Sequence, residues 1–100
     1  MTAEGTATRP EPRTVTVQGE GAYAGWEVTA KADFPARVLF DLQSKDLQTF
    51  YAAFDRIVIS HNFPGDDGER APTMADVDPS EGAQHMAGRI FDAMAALPNR

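Results

Sequence analysis

His61 and His85 are the side chains of this sequence best suited to acid–base chemistry or metal binding near neutral pH. A metal site needs them to converge on each other or on carboxylates, and no His-x-x-x-His spacing brings them together. Each therefore reads as a surface or boundary histidine. His61 is expected at a helix end, where a partly charged imidazole suits the helix dipole. The acidic run Asp66-Asp67-Gly68-Glu69, followed by Asp76 and Asp78, offers oxygen ligands for a hard cation. A calcium loop, however, sets oxygens at alternate positions over twelve residues, with glycine sixth and glutamate twelfth. The spacing here does not fit, and Asp67-Gly68 reads as a turn. Gly19, Gly21 and Gly25 do not lead from a strand into a helix, as a phosphate cradle requires. No Gly-x-Ser-x-Gly elbow is present. Cysteine is absent, which removes thiol nucleophiles, disulfides and zinc–thiolate sites. The remaining carboxylates fall in predicted loops and on wet helix faces. The expectation is a protein that is not an enzyme, with no catalytic residue, metal or cofactor.

Charge narrows the partners. The 100 residues carry a formal net charge of −6, and the nine Lys and Arg are scattered singly. Nucleic-acid binding rests on clustered cations that displace counterions, so neither nucleic acid nor an anionic membrane is an expected partner. No apolar run approaches the roughly 20 residues of a membrane span, and residues 1–13 lack the apolar core of a signal peptide. A place in the cytoplasm is expected.

The elements that must position these residues follow from periodicity. Residues 1–13, rich in Thr, Ala, Glu, Pro and Arg, read as a disordered tail. Residues 14–100 read as one domain. Thr14-Val15-Thr16-Val17-Gln18 and Trp26-Glu27-Val28-Thr29-Ala30-Lys31-Ala32 alternate, with three glycines between them, and predict a β-hairpin covered on one face. Residues 35–60 read as helical. Pro35 suits a first turn, and one or two turns follow to Leu42. Ser44 is then placed as the cap of the main helix, with Asp46 in its first turn. Leu47, Phe50, Tyr51, Phe54, Ile57 and Val58 form its apolar stripe. Residues 61–78 read as a long turn-rich connection, of the kind that is usually functional or mobile. Asp78-Pro79-Ser80-Glu81 predicts a capping box for a last helix, whose stripe is Ala83, Met86, Ala87, Ile90, Met94 and Leu97, with Phe91 beside it. The fold class is α+β, a small domain with an N-terminal hairpin on two main helices.

Six Phe, two Tyr and one Trp, with Met74, Met86 and Met94, form a large apolar inventory. Phe50, Phe54 and Ile90 are read as core. Two helices and one hairpin cannot readily cover both stripes, so a self-association face or an apolar groove for a partner is expected. The candidate partner-binding residues are Phe50, Tyr51, Phe54, Ile57, Phe63, Met86, Phe91 and Met94.

The order of features resembles the tail assembly chaperones of long-tailed, siphovirus-type bacteriophages of actinobacterial hosts. The features are the hairpin with Trp26, then Asp33-Phe34-Pro35, a helix ending at Ile57-Val58-Ile59, His61-Asn62-Phe63 leading into Asp66-Asp67-Gly68-Glu69, and a capped helix ending Ala95-Ala96-Leu97-Pro98. The family's helix runs into a Trp-Asn-hydrophobic segment followed by Asp-Gly. Here Asn62, Phe63, Asp67 and Gly68 match, and His61 stands where the tryptophan would be. The resemblance implies a non-enzymatic protein of the host cytoplasm that coats the tape measure protein and is displaced as tail-tube subunits polymerise. It also implies a short form ending near Leu97-Pro98-Asn99-Arg100, beside a frameshifted long form. A structural virion component, such as a tail-completion or head-decoration protein, is the alternative. A small accessory or regulatory domain is a second alternative.

Overall fold

The computed structural model describes residues 13–97. The expected tail falls almost wholly outside them. Arg13 is the exception, and its backbone N–H donates to Asp33 Oδ2 at 2.7 Å. Strand β1 (Thr14–Gln18) pairs antiparallel with β2 (Glu27–Lys31), with Val15 opposite Ala30 and Val17 opposite Val28. These four form the buried face, and the alternation that predicted the hairpin is what puts them there. On the open face the hydroxyls of Thr16 and Thr29 lie 2.8 Å apart, and Gln18 Nε2 donates to Glu27 Oε2. A single 3-10 turn (Gly21–Tyr23) closes the connection.

Helix α1 (Ala36–Leu42) follows Pro35, then α2 (Leu47–Ile57). Asp46, rather than Ser44, caps α2. Its carboxylate accepts from the Thr49 N–H at 3.0 Å and from the Thr49 hydroxyl at 2.6 Å, while Ser44 Oγ accepts from the Asp46 N–H. These bonds to Thr49 hold the Asp46 carboxyl below its ordinary value of 3.8.

The helix does not run to residue 60. It stops at Ile57, and strand β3 (Val58–His61) pairs antiparallel with the free edge of β2, giving a three-stranded sheet in the order β1-β2-β3. Val58 continues the helical stripe on paper, but β-branched residues suit a strand, and the open donors and acceptors of β2 supply what a longer helix would forgo. Thr29 faces Ser60 and Ala30 faces Val58, so Ile59 is the extra residue of a β-bulge.

Residues 62–79 are not a loose connection. Antiparallel bridges join Pro64 to Arg70 and Gly65 to Val77, and a 3-10 turn spans Met74–Asp76. Asp67-Gly68 is a turn as expected: Gly68 has φ +83°, and Asp67 Oδ1 accepts from the Glu69 N–H. Phe63, Ala71, Met74 and Val77 are buried. Asp55 Oδ1 accepts from the Met74 N–H at 2.8 Å, tying the segment to α2.

Helix α3 (Ser80–Ala95) packs against β1. No side chain caps its start, so the capping box does not form. The Asp78 N–H is committed to Pro64 O, and the Gly82 N–H finds Pro79 O at 2.9 Å. The core joins the covered sheet face to Val38, Leu42, Phe54 and Ile57 of α1 and α2 and to Ala83, Met86, Ala87 and Ile90 of α3. Among the described residues no polar or charged side chain is buried, and no helix is long and apolar enough to cross a membrane.

Candidate protein-binding surface

The core absorbs most of the residues expected at a contact face. Phe54, Ile57, Phe63 and Met86 are at most 2% exposed, and Phe50 is 8% exposed. Tyr51, Phe91 and Met94 are half-buried against the same core. The Tyr51 hydroxyl is closed off from solvent with no hydrogen-bond partner among the described residues. The expectation of an uncovered remainder counted two helices and a hairpin. The third strand and the folded 62–79 segment supply the missing cover.

The large apolar side chains left in solvent are others: Phe40 at 70%, Leu47 at 54%, Ile59 at 53% and Leu39 at 37%. In α1, Val38 and Leu42 turn inward one helical turn apart, which leaves Leu39 and Phe40 outside. That signal was legible in the sequence as soon as α1 was given an inward face.

Leu47 borders a groove of about 320 Å³ between the α1–α2 junction and α3. Leu42, Phe50, Ala87 and Phe91 line it with Gly88, and Gln43, Ser44 and Gln84 are the polar members. None of these residues carries a charge. Phe50 and Phe91 are thus the expected contact residues that the fold does bring to one exposed concavity. Gly88 is the residue the sequence reading missed. It stands inside α3, is exposed, and among the described residues has no atom within 4 Å of where a Cβ would lie. Glycine in a helix interior costs about 1 kcal/mol relative to alanine. Sterics do not require it here, and its effect is to keep the groove open.

The histidines serve the scaffold. His61 Nδ1 accepts from the Phe63 N–H at 3.0 Å, and its ring packs on Phe63 with centroids 4.9 Å apart. It ends a strand rather than a helix. Burial, reinforced by the Arg70 charge, lowers its pKa, against a smaller raising effect of Asp55. His85 Nε2 accepts from the Glu20 N–H at 3.3 Å, and its ring lies 4.9 Å from that of Tyr23. Among the described residues no group of three His, Asp or Glu side chains is placed to hold a metal ion.

Asn62 and Phe63, which carry the family resemblance, have structural work. Asn62 Oδ1 accepts from the Glu27 N–H at 2.7 Å and its Nδ2 donates to Gly25 O at 2.9 Å, clamping the hairpin turn to the end of β3. Phe63 fills the core against Trp26, with ring centroids 5.3 Å apart.

No known family, curated protein or solved structure matches this chain.

Proposed function

We propose that this protein is a non-catalytic binding module of the host cytoplasm that shields an amphipathic helix of a long client during assembly. The specific reading is a phage tail assembly chaperone. The tape measure protein is its client, and the tail-tube subunit is the partner that displaces it. The family reading comes from the resemblance around Asn62, Phe63, Asp67 and Gly68. The observation that carries the binding role is the uncharged groove beside Leu47, held open by Gly88. A helix laid there would set apolar residues against Leu47, Phe50 and Phe91 in the manner of helix-in-groove recognition. Repeated weak contacts along a long client would add avidity.

The test is capture of the tagged protein from cells making its neighbouring gene products, read by mass spectrometry. One very long helical protein is expected with the wild type and lost with Gly88→Phe, which fills the groove from an exposed position. If that client is retained by Gly88→Phe and Leu47→Glu alike, the groove is not its site.

A structural virion role is the second reading, and one feature favours it. Among the described residues strand β3 has a partner on one side only, an edge that a neighbour's strand could extend. Abundance of the protein in finished particles, without a helical client, would select this reading.

A further inference from the structure

A second concavity, sharing no lining residue with the groove, lies at the end of the sheet where β1 begins, β2 ends and β3 begins. Its volume is about 400 Å³. Among the described residues its charged lining is mainly cationic: Lys31, Arg56 and Arg13, with one carboxylate, Asp33. In a chain of net charge −6, this reverses the sign of the whole. The carboxylate is already engaged, since Asp33 Oδ2 accepts from the Arg13 backbone N–H. The apolar lining includes Phe34, which is half-buried, and Ile59, which is 53% exposed.

The position of Ile59 has a cause. It is the extra residue of the β3 bulge, and bulges re-aim side chains at sheet edges and beside binding sites. A large aliphatic side chain is thereby held in solvent among cations. Lys31 and Arg56 are exposed on separate elements, one at the end of β2 and one in the last turn of α2. Two cations on separate elements beside an apolar lining match a ligand that carries carboxylates next to an apolar residue.

We propose that this cleft binds a short acidic peptide segment of a partner protein, its large apolar side chain against Phe34 and Ile59 and its carboxylates on Lys31 and Arg56. The occupant is acidic because the cleft is locally positive, and at physiological salt charges are screened beyond about 8 Å, so the local sign rather than the net charge governs capture. The site is independent of the groove beside Leu47, and either can fail without the other.

The test is a titration of the ¹⁵N-labelled full chain with acetyl-Asp-Glu-Leu-Glu-Asp-amide, followed by NMR. The amides of Lys31, Phe34, Arg56 and Ile59 should shift together, and affinity should fall at least tenfold between 50 and 300 mM salt. The double variant Lys31→Glu/Arg56→Glu should bind at least tenfold more weakly, and so should Ile59→Ser. All three positions are exposed, and an unchanged spectrum elsewhere would show that the fold is intact. The control peptide acetyl-Asn-Gln-Leu-Gln-Asn-amide should also bind at least tenfold more weakly. Equal binding of that control, shifts confined to Leu47 and Gly88, or no shifts at millimolar peptide would overturn the proposal. Concentration-dependent shifts at the cleft without peptide would overturn it in favour of a second copy of this chain.

Discussion

The indole of Trp26 packs directly on the backbone of Gly82, leaving no space for a Cβ between the hairpin and α3. Tyr23 closes the other side: its Cε1 would lie 3.1 Å from that Cβ, and its ring meets the Trp26 ring edge-on. Sheet and helix are therefore joined at a contact only glycine allows. Gly82→Ala should destabilise the protein, because overpacking costs about 1–3 kcal/mol and outweighs a helix-propensity gain of about 1 kcal/mol. Urea unfolding followed by circular dichroism measures the difference. A variant as stable as the wild type would show that the contact yields freely.

Gly88, less than two turns along the same helix, should behave in the opposite way. Nothing opposes a Cβ there, so Gly88→Ala should raise stability by about 0.5–1 kcal/mol. The same unfolding experiment on the pair Gly82→Ala and Gly88→Ala should give shifts of opposite sign. Gly88→Phe should fold as well as the wild type while closing the groove.

The buried and exposed aromatics should separate cleanly. Phe54 is fully buried, and Phe54→Ala should cost about 3–5 kcal/mol through lost transfer energy and the cavity left behind. Phe40 is 70% exposed, and Phe40→Ser should leave stability within about 0.5 kcal/mol of wild type. A large loss for Phe40→Ser in thermal or urea unfolding would mean that its side chain is packed.

The Asn62 clamp should contribute measurably. Removing both side-chain hydrogen bonds in Asn62→Ala should cost about 1–3 kcal/mol, each bond being worth about 0.5–1.5 kcal/mol net. Amide hydrogen exchange at Glu27 should accelerate in the variant. Unchanged protection there would assign the amide's stability to other contacts.

Acidification should weaken the fold through His61. Its pKa in the folded chain lies below the ordinary 6.5, because burial and Arg70 disfavour the cation. As pH falls through about 6.5 the unfolded chain takes up the proton first, so stability declines from there downward until the folded form also titrates. Protonation also removes the Nδ1 acceptor used by the Phe63 N–H. The variant His61→Asn keeps an acceptor and loses the titration. Its urea midpoint should fall less than the wild type's between pH 7.5 and pH 5.5, and parallel declines would exclude His61 as the source.

The β1–β2 hairpin, the α2 and α3 stripes and the α+β class were legible in the residue pattern alone. Each of these is a local periodicity: two for the strands, and 3.6 for Phe50, Phe54 and Ile57 or for Ala83, Met86 and Ile90. It also placed the Asp67-Gly68 turn, which needs only local backbone geometry. Tertiary structure decided the rest. Val58-Ile59-Ser60 fits a helix end or a strand equally well in isolation, and the unpaired edge of β2 chose the strand. Phe63, Ala71, Met74 and Val77 follow no period, because bridges between distant residues rather than a repeating backbone turn them inward. That extra cover buried Phe54, Ile57, Phe63 and Met86. It left the groove beside Leu47 and the cationic cleft around Ile59 open at the surface. Which apolar residue faces a partner depends on how much core the remaining chain supplies, and only the assembled fold sets that quantity.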